Sequence, residues 1–138
     1  MGKRILLLLI ILCILTLIAI YTVNLYRNDK LEKEKINQEY KEYINKEIMG
    51  TELISLINKT ADLNKRNKNN EENNKIEPIA IYVKFIYKKK EKTISMEDII
   101  EKGSEAFVQA YSTQKFKCTS IEYHESTNNI KSLVFEEI

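Results

Sequence analysis

Tryptophan is absent from this 138-residue chain, histidine and proline occur once each, cysteine twice and glycine three times. Each scarcity removes a class of chemistry. Gly2, Gly50 and Gly103 stand too far apart to build a glycine-rich loop whose backbone N–H groups would cradle a phosphate. Cys13 lies inside an apolar run, so Cys118 has no second thiol with which to close a disulfide in a soluble domain, and it reads as a small buried hydrophobe or else as a lone thiol able to pair between chains. His124 is six positions from Cys118, which on a regular strand is roughly 20 Å, out of reach for a thiolate–imidazole pair. Glu122 shares a strand face with His124, but no second histidine and no spaced acidic pair completes a metal set. The expectation is a chain that is not an enzyme and that holds no cofactor and no metal.

Excess charge of one sign is also lacking. The formal charge of +2 belongs to Lys3 and Arg4, and residues 5–138 carry 20 basic and 20 acidic side chains. A nucleic-acid partner, which needs a net basic face, is therefore not expected. The local concentration of Lys84, Lys88, Lys89, Lys90 and Lys92 reads instead as a strand edge kept from aggregating by its lysines.

What the chain has is one long apolar run. Ile5 to Val23 contains no charge, no glycine and no proline, and only Thr16 and Thr22 interrupt its Ile, Leu, Val, Ala, Cys and Tyr. At 1.5 Å rise per residue this run and its flanks match a hydrocarbon core of roughly 30 Å, where only a helix pairs its own backbone. A secretory signal peptide begins in the same way, but no small-x-small cleavage site follows around Thr16–Thr22, so the run reads as an uncleaved signal anchor. Leu6 stands where N-myristoylation needs Ser or Thr. Two positive charges precede the span and Arg27, Lys30, Lys33 and Lys35 follow it. Because long domains are translocated largely regardless of charge, the expected orientation is N-terminus inside and domain outside, in the cell membrane, with Tyr21 and Tyr26 at the outer interface.

Downstream organisation follows from pattern. The expected parts are a short cytoplasmic tail (1–4), a transmembrane helix (5–26), a juxtamembrane amphipathic helix (27–63), a polar flexible loop (64–77) and a small α+β domain (78–138). Ile36, Tyr40, Tyr43, Ile54, Ile57 and Ala61 keep helical spacing, and Tyr40, Ile44 and Ile48 form a parallel stripe. Gly50 predicts a kink or break, with Thr51 as a fresh N-cap. Residues 64–75 contain no apolar side chain and lack the Asp-x-Asp spacing and turn glycine of a calcium loop. Ile79–Tyr87 alternates as a strand, 88–92 forms a turn, and Ser95 caps a short helix with acids in its first turn. A final hairpin, Phe116–Glu125 with Ile130–Glu137, turns at Thr127-Asn128-Asn129. A register opposing Tyr123 with Leu133 and Ile121 with Phe135 gathers the large apolar residues. The expected fold is α+β: a transmembrane helix continuing into a long helix, packed on an antiparallel sheet of about three strands with one short helix.

This layout resembles that of type IV pilins and the pseudopilins of secretion systems. The stretch Gly50-Thr51-Glu52-Leu53-Ile54-Ser55-Leu56-Ile57-Asn58-Lys59 and the run Phe116-Lys117-Cys118-Thr119-Ser120-Ile121-Glu122-Tyr123-His124 are similar to small pilin-like envelope proteins of low-GC Gram-positive-type bacteria. The resemblance is one of architecture. Gly2 is followed by Lys3 and no Glu enters the span, so the prepilin cleavage motif of that family is absent. It implies a single-span envelope protein whose extracytoplasmic domain meets an envelope protein partner or another copy of itself, with the bilayer as its other contact. A stripe of Tyr40, Tyr43, Ile44, Ile54 and Ile57 is the candidate interaction surface, at least half of it expected to serve as intramolecular core. Two other readings stand beside it: a membrane-tethered ligand-binding or sensory module, and a cytoplasmic-facing anchor whose lysines meet anionic headgroups.

Overall fold

The computed structural model describes residues 2–69, 76–87 and 90–138. They fall into two compact units, Met1–Lys35 and Ile36–Ile138. The first is helix alone, the greater part of α1 (Gly2–Lys41). Its two threonines turn inward on their own helix: Thr16 Oγ1 donates to the Cys13 carbonyl at 2.8 Å and Thr22 Oγ1 to the Ala19 carbonyl at 2.9 Å. Both hydroxyls are thus satisfied without a partner outside the helix.

The second unit begins with the last residues of α1. That helix does not run on to residue 63. It ends at Lys41, and a turn through residues 42–46, with Asn45 at φ +59°, feeds a three-residue strand, β1 (Glu47–Met49). Asn tolerates the left-handed conformation better than a bulkier residue, and the reversal lets Ile48 face Phe116 across the sheet. The next helix, α2 (Gly50–Asn69), starts at the glycine and places Thr51 inside its first turn, where the Thr51 carbonyl accepts from Ser55 Oγ. Residues 64–69, expected as loop, are its final turns, and 70–75 lie outside the described residues. Asn64 closes the segment by bonding both backbone groups of Ile79: Nδ2 donates to the carbonyl at 2.8 Å and Oδ1 accepts from the N–H at 3.0 Å.

Then come β2 (Ala80–Tyr87), β3 (Lys90–Ser95), α3 (Met96–Lys102), α4 (Ser104–Tyr111), β4 (Lys115–Tyr123) and β5 (Ile130–Glu137). Ser95 caps α3 as expected. Its Oγ accepts from Asp98 N–H while the Asp98 carboxylate accepts from Ser95 N–H, a reciprocal capping box. One short helix was expected and two are present, because Gly103 at φ +94° turns the chain between α3 and α4.

The sheet has five strands in the order β1-β4-β5-β2-β3, and it is mixed: β2 and β5 run parallel, all other neighbours antiparallel. The expectation of about three antiparallel strands misses β1, β3 and the parallel pair. The hairpin register also differs. Ile121 pairs with Leu133, Cys118 with Phe135 and Tyr123 with Ile130, displaced by irregularities between Cys118 and Ser120 and between Glu122 and Tyr123. Its loop spans 124–129, closed by His124 N–H on the Asn129 carbonyl and Asn128 N–H on the His124 carbonyl. Asn128 adopts positive φ in this loop.

Alternation makes two distinct faces. Ile48, Phe116, Cys118, Leu133, Phe135, Ile81 and Val83 are buried together with Leu53, Ile57, Met96, Ile99 and Phe107 of the helices. Edge-to-face Phe85–Phe116 and tilted Phe107–Tyr111 rings fill the layer between. On the opposite face the register sets Glu47, Lys117, Glu136 and Lys84 in one row of alternating sign. Lys84 Nζ lies 3.4 Å from Glu136 and 3.0 Å from Glu91. A row of this kind keeps a sheet face wetted.

Candidate functional site

The largest exposed apolar surface lies on α1. Ile5 to Val23 presents its Leu and Ile side chains at 45–65% exposure. Its most apolar 18-residue window has a mean hydropathy of 3.1, and none of it is buried within the protein. Among the described residues this is the one helix long and apolar enough to cross a membrane by length and composition.

The five residues of the candidate interaction stripe separate. Tyr40, Ile54 and Ile57 are core residues, 1%, 5% and 0% exposed. Tyr43 is half-buried with its ring edge-on to Phe135 at 6.3 Å, and Ile44 alone is exposed, in the turn after α1. Helical spacing read as one stripe is in fact two helices meeting, and the buried Tyr40 hydroxyl bonds Thr60 Oγ1 at 2.8 Å across that junction. Burial, opposed in part by this bond, raises the Tyr40 pKa. Lys59 pairs with Glu39 across the same junction, and its pKa is raised mainly by that hydrogen bond.

A second cluster of polar groups forms where the β4–β5 loop meets the end of α1. Asn37 Oδ1 accepts from Ile130 N–H at 3.0 Å and Asn37 Nδ2 donates to Asn129 Oδ1 at 3.2 Å. Glu77 accepts from Thr127 Oγ1 and Asn129 Nδ2, and its other oxygen stands 3.9 Å from His124 Nδ1. Nothing in the sequence pointed to Asn37 or Glu77, whose partners lie 47 to 93 positions away. These bonds latch the β4–β5 loop to Asn37 and Glu77.

Glu122 is occupied by Ser132 Oγ, which donates to it at 3.0 Å, and His124 stands in the loop beyond β4. Cys118 is fully buried on the inner face, where burial pushes its thiol up to about 11. A protonated, enclosed thiol is inert as a nucleophile. Among the described residues no group of three His, Cys, Asp or Glu side chains is arranged to hold a metal ion. No protein-family model, curated protein or solved structure matches the chain.

Proposed function

We propose that this chain is a single-span membrane protein whose α+β unit makes protein contacts on the outer side of the cell membrane, as a pilin-like or secretion-apparatus subunit of the envelope. One observation carries the reading: the apolar segment of α1 has the length of a bilayer crossing and no surface of its own protein covering it. The second unit supports a binding role over a catalytic one. Its single thiol is enclosed, and the carboxylates of Glu77 and Glu122 accept structural hydrogen bonds. The pilin-like element rests on layout alone, an apolar N-terminal helix with a small sheet packed under helices.

Orientation is tested by labelling. Ser126 is exposed in the β4–β5 loop and does not need positive φ, which makes Ser126→Cys a mild probe. Cys118 is buried and Cys13 sits mid-span, so the unsubstituted chain is the blank. A membrane-impermeant maleimide should label Ser126→Cys on intact cells. Labelling only after lysis would replace the envelope reading with a cytoplasmic-facing anchor.

A further inference from the structure

The β3 edge of the sheet is a surface distinct from the apolar span. β3 pairs with β2 on one side and has no strand on the other among the described residues, and Lys90 to Thr93 are exposed. An unpaired edge of this length is a template for another extended chain. Beside it, between β3 and the two short helices, opens an apolar cleft of about 190 Å³ lined by Ile94, Ile99, Phe107, Tyr111 and Lys102. Strand and cleft share Ile94, so a chain laid along β3 would carry alternate side chains to the cleft.

Charge selects among candidates for that place. In the β2–β3 register Lys90, Lys92 and Ile94 oppose Tyr87, Phe85 and Val83, so both lysines project on the same side as the cleft. Neither they nor Lys102 forms an ion pair with a described residue, whereas Glu91, on the opposite side, is engaged by Lys84. Lysines on an edge repel a second copy of that edge and attract an acidic strand.

We infer that the β3 edge binds an extended acidic peptide segment of a partner protein, added antiparallel to β3, with one apolar side chain in the Ile94–Phe107 cleft and carboxylates facing Lys90 and Lys92. This rests on the reading of the chain as an interaction module and specifies its surface and partner class. Main-chain hydrogen bonds along β3 supply affinity. The cleft and the lysines supply register and choice.

The test is a fluorescence-anisotropy titration of the full chain in neutral detergent with the blocked peptide Thr-Leu-Thr-Glu-Thr-Glu-Thr, which in antiparallel register sets Leu against Ile94 and each Glu against a lysine. Saturable binding is expected, weakened roughly tenfold when both Glu are replaced by Lys, the size expected from reversing two exposed ion pairs. Lys90→Glu with Lys92→Glu should invert that preference, and Ala106→Trp, at an exposed position lining the cleft, should lower affinity for the Leu peptide. Near-UV circular dichroism checks that each variant is folded. Absence of saturable binding, or an affinity indifferent to peptide charge in both proteins, overturns the proposal. So does an affinity unaltered by a folded Ala106→Trp. Because the titration is independent of membrane topology, its failure removes the docking edge while the labelling result stands, and the reverse holds equally.

Discussion

The two units of this chain spend the same side chains in opposite ways. Leu9 in α1 is 54% exposed and Leu53 in α2 is 0% exposed, yet both are leucines on helices free of proline. In the second unit apolar area leaves water when the sheet and helices close on each other. In the first, nothing among the described residues removes it. The difference teaches that hydrophobicity alone does not identify a core: charged residues between the apolar ones give a helix a side, and their absence over Ile5–Val23 leaves it apolar all round.

That contrast can be broken at its most constrained point first. A Cβ on Gly50 would stand 1.9 Å from the Tyr111 carbonyl oxygen, so the start of α2 touches the end of α4 backbone to backbone. Gly50→Val should cost about 3 kcal/mol or more and leave the second unit unfolded while α1 keeps its helicity, seen as lost near-UV and partly retained far-UV circular dichroism. Leu53→Ala should follow at about 3 kcal/mol from the cavity it opens, a marked drop in thermal midpoint of the detergent-solubilised chain.

Alkaline pH should act through Cys118. Below pH 9 the thiol is protonated folded and unfolded, so it adds no pH dependence. Between its ordinary value of 9.0 and the folded value of about 11, only the unfolded chain releases the proton, so stability falls as pH rises through that window. The full loss is roughly 3 kcal/mol at most. Cys118→Ala should flatten that part of the pH profile in a comparison of midpoints from pH 8 to 11. Asn37→Ala, which orphans the Ile130 N–H, should cost about 1 kcal/mol. The smallest effect sharpens the comparison most: Leu9→Ala should leave the midpoint of the second unit unchanged, because no described contact of that unit depends on it.

Legibility in the sequence followed the range of the forces involved. The alternation of Ile79–Tyr87, the Ser95–Asp98 cap and the existence of the last hairpin are local, and the residues announce them. β1 escaped because Glu47-Ile48-Met49 is too short to interrupt a helical period, and β3 because Lys-Glu-Lys-Thr has no apolar alternation. The parallel β2–β5 pair joins segments some fifty positions apart, and two irregularities in β4 shifted a register that side-chain size alone had suggested. Gly50 was legible as a break, but its cause, the carbonyl of Tyr111, was not. The apolar N-terminal helix was the most legible feature. Asn37 and Glu77, whose roles exist only once distant segments meet, were the least.

Among the described residues β5 is the last strand in sequence and the middle one in the sheet, flanked by β4 on one side and β2 on the other. Until Ile130–Glu137 arrives, the β1–β4 pair and the β2–β3 pair share no strand to hold them together. A chain emerging N-terminus first, from a ribosome or through a translocation pore, therefore has no complete sheet until residues 130–137 are free. Closure of the sheet reports that β5 has emerged, and a stop codon placed just after β4 would leave the two strand pairs with no strand between them.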